Sequence, residues 1–332
     1  MEVFRELKFL IGNTPLLRVT LKYKGKLKKI YAKAEYYNYT GSIKDRIALY
    51  ILEKSYREGL IKKGDTIVEA TSGNTGIAFC GVGKFLGHEV KIFMPEWMSE
   101  ERKRLMLGYG AKLRLVTKEE GGFGGSVQLV EEEAKNNNNC FLPHQFSNEY
   151  NTEAHYFSTA VELERQILKF EDNLDFFVAG VGTGGTIMGV NKYFKEKNKY
   201  FKSFPVEPST SAALSGSKDL MEHKISGIGD SFVPEIVRLD ELALPITVDD
   251  DDAIIVSQML AKTFGLGVGI SSGANLLGVL KAQDTIGSEG IFATVFTDDN
   301  KKYLTTDYSK ELPVKDDYLC KDIEFLDLRA IK

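Results

Sequence analysis

The sequence predicts an α/β protein of two lobes, each a twisted, mainly parallel sheet flanked by helices. Three observations lead there. Short β-branched runs alternate with longer helical stretches in two separate series. Strands joined through helices in this way make right-handed crossovers, which produce parallel sheets. A chain of 332 residues also exceeds one ordinary core, given about 150 residues per domain.

The first series reads as strand "DTIVEA", helix "TGIAFCGVGKFLG" closed by Gly87, strand "EVKIFM", helix "MSEERKRLMLGYG" and strand "AKLRLV". The second reads as strand "LDFFVAG", helix "TIMGVNKYFKEKN", strand "SFPVE", helices "DAIIVSQMLAKTFG" and "ANLLGVLKAQ", and strand "GIFATVFT". Two polar, Gly- or Asn-rich stretches, "EEGGFGGS" (119–126) and "KNNNN" (135–139), read as mobile loops. The expected domains are 38–148 with 1–15, smaller and mobile, and 16–37 with 149–308, larger. The tail 309–332 is too short for a domain and is expected to pack on its own or a partner subunit.

Composition narrows the function. Hydrophobic content of 43% and charged content of 27% suit a soluble globular protein, and a net charge of −4 with mixed signs gives no basic field for nucleic acid. Charged residues break the apolar pattern of a signal peptide in "MEVFRELKFLIGNTPLL", and no stretch reaches membrane-spanning length, so a cytoplasmic protein is expected. Cys80, Cys140 and Cys320 form no C-x-x-C pair, and His88, His144, His155 and His223 form no ligand motif, so neither disulfides nor a metal are expected.

Ligands of open α/β sheets bind where strands end and helices begin. Two stretches occupy such positions: "TSGNTG" (71–76) after the first strand and "GVGTGGT" (180–186) after "LDFFVA". The second offers backbone N–H groups to an anion at a helix N-terminus. Gly180, Gly182 and Gly185 satisfy G-x-G-x-x-G, with Glu207 lying 22 residues beyond, so by itself this is a dinucleotide fingerprint and an NAD-dependent dehydrogenase stays open. "NYTGSIKDR" (38–46) puts Lys44 at a helix start that Thr40 or Ser42 can cap, with Asp45 in the first turn. That position, with burial, helps to depress a lysine from ~10.4 toward neutrality, a shift of about 3 units costing roughly 4 kcal/mol. A neutral lysine can form a Schiff base and then act as a base. Taken singly, Lys44 could equally be a solvated first-turn residue, and each loop a turn with a cap.

Taken together, "GSIKDR", "TSGNTG", "GVGTGGT" and "GISSGAN" (269–275) resemble, in order and spacing, the fold-type-II pyridoxal-phosphate enzymes of the cysteine synthase and cystathionine β-synthase family. "IGNTPLL", "MPEWMSEERKRLMLGYGAKL" and "KKYLTTDY" extend the likeness from Ile11 to about Tyr308. The resemblance implies pyridoxal 5'-phosphate in a cleft between the lobes and a homodimer. It implies Lys44 as Schiff-base lysine and base, and Gly182, Thr183, Gly184, Gly185 and Thr186 as the phosphate cradle. It implies Asn74 on the cofactor's ring oxygen and Ser271, with Ser272 as its neighbouring alternative, at the pyridine nitrogen. Thr71, Ser72, Thr75 and Gln145 would hold the substrate α-carboxylate. A hydroxyl at the ring nitrogen makes the ring a weaker electron sink, favouring elimination to an aminoacrylate over transamination.

One stretch departs from the family. In "SGIGD" (226–230) a small neutral residue usually follows the second glycine, where this chain has Asp230 and then Ser231. A carboxylate there would repel incoming hydrosulfide and could take a proton from water. The expectation is L-cysteine plus water giving L-serine plus hydrogen sulfide with Asp230 as base. The alternatives are an O-acetylserine sulfhydrylase, a cystathionine β-synthase-like enzyme, and an Asp230 that merely caps the "VPEIV" turn and points away. "EGGFGG" also differs from the family and is expected to belong to a flap that shuts over substrate.

Overall fold

A computed structural model describes residues 2–287 and 290–332. Its strands are β1 (Leu16–Tyr23), β2 (Lys26–Ala34), β3 (Thr66–Ala70), β4 (Glu89–Pro95), β5 (Lys112–Val116), β6 (Cys140–Phe141), β7 (Phe176–Gly180), β8 (Lys202–Pro208), β9 (Ile246–Val248), β10 (Phe292–Phe296) and β11 (Ile323–Ile331). They form two sheets: a smaller one in the order β5-β4-β3-β6 and a larger one in the order β11-β1-β2-β10-β7-β8-β9. The smaller sheet is wholly parallel, as is the larger from β2 through β9.

Beyond β2 the larger sheet becomes antiparallel, a feature the helical-strand alternation does not announce. β1 and β2 join through Lys24 and Gly25, both at positive φ (49° and 74°), the backbone of a tight hairpin turn whose twist matches its strands. The tail supplies β11, which pairs with β1 of its own subunit. Side chains alternate between two cores with the period of a strand: Ile30, Ala32 and Ala34 of β2 join one buried cluster, and Tyr31 joins the other. Two further clusters cover the faces of the smaller sheet.

The stretch 119–126 corrects the sequence reading. It is a turn followed by the start of a helix, Gly122–Asn136, with Gly121 left-handed (φ 90°) at its N-cap. A side chain at Gly125 would place Cβ 1.8 Å from the Glu120 carbonyl oxygen, so the glycines permit a compact turn rather than mark a loose loop. The same helix absorbs Lys135 and Asn136 of the "KNNNN" run. Among the described residues, no helix is long and apolar enough to cross a membrane.

The C-terminal ends of β3, β7 and β10 open toward one cleft between the sheets. Helices Lys44–Arg57, Asn74–Phe85, Gly185–Lys197 and Ile270–Ile286 all begin at its wall. Four N-terminal ends, each with unpaired N–H groups and the positive end of a dipole, make the cleft a natural anion site.

Candidate active site

The cleft has a volume of about 340 Å³. Lys44, Thr71, Ser72, Asn74, Thr75, Gln145, Gly182, Thr183, Gly184, Thr186, Asp230 and Ser271 line it, drawn from segments spread over most of the chain. Gly185, the first residue of its helix and the neighbour of Gly184 and Thr186, does not itself line the cleft.

Lys44 is the first residue of its helix. Ser42 Oγ accepts its N–H at 3.3 Å. Thr40 does not cap the helix but donates its N–H (2.8 Å) and hydroxyl (2.5 Å) to the Asp45 carboxylate. Burial lowers the pKa of the Lys44 amine, against the opposing pull of Asp230 and Asp298. The lowering makes the unprotonated amine, the form that condenses with an aldehyde, more readily available.

The phosphate-type loop depends on close backbone approach. A Cβ at Gly182 would lie 2.3 Å from the Gly227 carbonyl oxygen, and one at Gly184, whose φ is 90°, 2.2 Å from Val237 Cγ2. Thr183 is fixed by Asn151 Nδ2, which donates to its hydroxyl (2.9 Å) and to the Gln145 carbonyl (2.8 Å). Thr186 Oγ1 is 3.2 Å from His155 Nε2, and burial, with Arg46 and Lys44 nearby, pushes the His155 pKa far down and keeps the ring neutral. Glu207 is absent from the cleft. Its buried carboxylate accepts the N–H groups of Leu214 (2.7 Å) and Ser215 (3.0 Å), which removes the acidic ribose partner of a dinucleotide site.

Ser271 and Ser272 separate cleanly. Ser271 lines the cleft with its Oγ 2.6 Å from Thr297 Oγ1, whereas Ser272 is fully buried and accepts the Thr297 N–H at 3.0 Å. Asn74 donates Nδ2 to Asp298 Oδ2 (2.8 Å), leaving its buried Oδ1 without a partner among the described residues. Gln145 donates to the Ala70 carbonyl (2.9 Å), which ties it to the start of the "TSGNTG" turn, where Thr71 Oγ1 accepts the Gly73 N–H at 3.2 Å.

Asp230 is on the cleft wall and does not turn away. Its pKa is raised by burial, moderated by Lys44 and His223. The loop that carries it packs backbone to backbone on the phosphate-type loop, with the Gly229 N–H bonded to the Val181 carbonyl at 2.9 Å. Sequence reasoning missed Trp97, Arg102, Phe123, Phe146, His223 and Thr297, which also line the cleft. The strand ends preceding Trp97 and Thr297 were readable signals; the others arrive from helices and loops whose docking no local pattern encodes.

These residues fit pyridoxal phosphate. Helix N–H groups and threonine hydroxyls suit a phosphate, the orphaned Asn74 Oδ1 awaits a polar ring substituent, Ser271 offers a hydroxyl to a ring nitrogen, and Lys44 offers the amine. The family described as pyridoxal-phosphate dependent enzyme matches residues 7–298. The crystal structure of a hydrogen sulfide-producing enzyme from Fusobacterium nucleatum is 51% identical, with TM-score 0.97, covering 100% of this chain and 99% of that one. An aspartate-to-asparagine mutant of that enzyme, complexed with an α-aminoacrylate intermediate, is 50% identical with TM-score 0.96 and 99% coverage of both chains. A cysteine synthase of Staphylococcus aureus is 39% identical over 298 residues, covering 90% of this chain and 94% of the relative.

Proposed function

The chain belongs to the pyridoxal-phosphate-dependent enzymes, as a cysteine synthase-type enzyme of β-replacement, and from that premise we propose that it converts L-cysteine and water to L-serine and hydrogen sulfide. The observation that carries the proposal is the Asp230 carboxyl on the cleft wall, in the electrostatic reach of Lys44. When bound, pyridoxal phosphate supplies an aldehyde for the amine and an electron-withdrawing ring that acidifies the substrate Cα–H.

Lys44 Nζ, whose pKa burial lowers so that its basic form is more readily available, takes and holds the α-proton. Thr71, Ser72, Thr75 and Gln145 hold the substrate carboxylate, which fixes the Cα–H bond toward Lys44. Gly182 to Thr186 hold the phosphate, Asn74 the ring oxygen, and the Ser271 hydroxyl the ring nitrogen. Asp230, when ionised, accepts a proton from water as its oxygen bonds to the β-carbon, and Lys44 returns the α-proton to complete serine. Because burial raises the Asp230 pKa, the ionised fraction grows as pH rises through that value, so water addition accelerates with pH over the same range. That the mutant relative complexed with α-aminoacrylate carries an aspartate-to-asparagine change supports a carboxylate acting after this stage.

Incubation with cysteine alone tests the assignment. Serine and sulfide should accumulate in equal amounts, and Asp230→Asn should reduce serine formation by about 10²-fold while the protein keeps its bound cofactor. Unchanged serine output from the variant would overturn it. A second reading, cysteine synthesis from O-acetylserine and sulfide, is supported by the S. aureus relative; preferential capture of added sulfide over water in a competition would favour it. A cytoplasmic homodimer, with 38–148 and 1–15 moving as the smaller domain over 16–37 and 149–308, completes the proposal. Sedimentation of the purified protein reads the dimer directly.

A further inference from the structure

Among the described residues, four lysine, arginine or acidic side chains line the cleft: Lys44, Arg102, Glu222 and Asp230. Three of them are answered by an opposite charge. Lys44 and Asp230 feel each other, and Glu222 at the rim pairs with Lys118 at 3.2 Å. Arg102 is the exception, although it is only 4% exposed. Its neighbours on the helix Glu100–Gly108 are committed elsewhere: Glu100 takes Lys103 at 2.9 Å, and Glu101 accepts the N–H and hydroxyl of Thr305 at 2.8 and 2.7 Å. Among the described residues no carboxylate forms an ion pair with Arg102, and its buried Nε has no hydrogen-bond partner. What holds it is a ring. Its guanidinium carbon sits 5.1 Å from the centroid of Tyr303, whose hydroxyl donates to Asp298 at 2.7 Å.

The guanidinium stands against the "TSGNTG" turn. A Cβ at Gly73 would lie 3.2 Å from Arg102 Nε and 3.7 Å from the guanidinium carbon, so the cation packs on the middle of that turn. The groups assigned above to the substrate carboxylate, Thr71, Ser72, Thr75 and Gln145, are all neutral. They orient a carboxylate, but none of them balances its charge. A buried cation with no anion is costly, and an arriving carboxylate removes that cost by supplying the missing partner. We propose that Arg102 is a specificity-determining residue: it is the counter-charge for the substrate α-carboxylate held at residues 71–76, and through it the enzyme selects amino acids with a free carboxylate over their amides and esters. The proposal rests on the assignment of that turn to the carboxylate and is indifferent to whether water or sulfide adds afterwards. The stack on Tyr303 fixes the charge in place before substrate arrives, so the electrostatic field at the turn needs no rearrangement on binding.

L-Alanine and L-alaninamide separate charge from shape, because they differ only at the carboxylate and neither has a β-substituent to lose. Equilibrium titration of the holoenzyme with each, at one pH, gives a preference ratio for the wild type, Arg102→Gln and Arg102→Lys. Arg102→Gln should weaken L-alanine by at least about tenfold and leave L-alaninamide nearly unchanged. Its KM for cysteine should rise by a similar factor, with a smaller change in kcat. Arg102→Lys, which keeps the charge and loses the planar fork, should recover part of the preference. Equal weakening of both ligands would make Arg102 a purely structural residue, and a lysine variant no better than the glutamine one would show that its charge is not read; either overturns the proposal. If the wild type itself binds the two ligands equally, the turn does not hold the carboxylate and the role of Arg102 falls with that assignment. If the wild type prefers L-alanine and Arg102→Gln keeps the whole preference, the turn stands and only the role of Arg102 falls.

Discussion

Lys44 and Asp45 are consecutive, and one cause moves both toward neutrality. Burial lowers the lysine and raises the aspartate to about 6. The aspartate nevertheless has hydrogen-bond partners in Thr40, whereas among the described residues the lysine amine has none and feels only the charges of Asp230 and Asp298. That asymmetry marks the reactive group: a satisfied buried carboxyl is structural, and an amine that faces the cleft is available. Borohydride treatment of the holoenzyme should fix pyridoxal phosphate covalently to Lys44, recoverable on a single peptide. Lys44→Ala should show no such attachment and a turnover reduced by about 10²–10⁴-fold. Cofactor fixed on a different lysine would remove Lys44 from the reaction.

At the scale of elements, strand β3 carries a conspicuous cost. Glu69 is buried just before the "TSGNTG" turn, one oxygen held by the Ala70 N–H at 3.0 Å and the other without a partner among the described residues, and burial raises its pKa to about 8. A carboxyl raised in the folded state leaves stability intact below its ordinary value of 4.5; stability then declines as pH rises toward about 8, above which the whole penalty applies. The penalty is bounded at about 5 kcal/mol. Glu69→Gln should therefore match the wild type near pH 4.5 and exceed it by up to a few kcal/mol at pH 9, as read by urea unfolding at both pH values. Equal stabilities at pH 9 would show that Glu69 finds a partner when ionised. Much of this level was legible beforehand. The β3–"TSGNTG"–helix and β7–"GVGTGGT"–helix units follow from hydrophobic period and small residues at the strand ends. What escaped was set by backbone geometry and distant pairing: "EEGGFGG" becomes a helix start through the close local packing of Gly125 on the Glu120 carbonyl, and β11 forms because β1 presents an open edge some three hundred residues earlier in the chain. Lys44 and Asp230 could be singled out by residue type, whereas His223 joins the cleft only through a bond to one carbonyl.

At the scale of the whole molecule, the lobes meet at a buried cluster of charges below the cleft. Arg46, on the helix Lys44–Arg57 of the smaller lobe, donates Nε to Glu35 (2.6 Å), Nη1 to Glu162 (2.7 Å) and Nη2 to both carboxylates (2.9 and 2.8 Å). Lys33 of β2 donates to Glu162 (2.7 Å) and to the Thr14 carbonyl (2.8 Å). Glu162 stands on a helix, Val161–Ile167, that packs into the core of the larger lobe, so one guanidinium joins both bodies. Two cations and two anions cancel, which makes the set tolerable in a dry interior, and a planar fork can give two hydrogen bonds to each of two carboxylates at once. Arg46→Met leaves Glu35 without its cation and Glu162 with Lys33 alone, and should cost about 3–5 kcal/mol in urea unfolding at pH 7. Although burial alone would raise it, Arg46 and Lys33 hold Glu162 down at about 2, so the stabilisation is complete above the ordinary value of 4.5 and drains as pH falls from there toward about 2. The variant, having lost the larger of those partners, should show a flatter stability profile across that acid range. Arg46→Lys, which keeps the charge and loses the fork, should recover only part of the difference. A loss below about 1 kcal/mol at pH 7 would mean that the lobes are held together elsewhere.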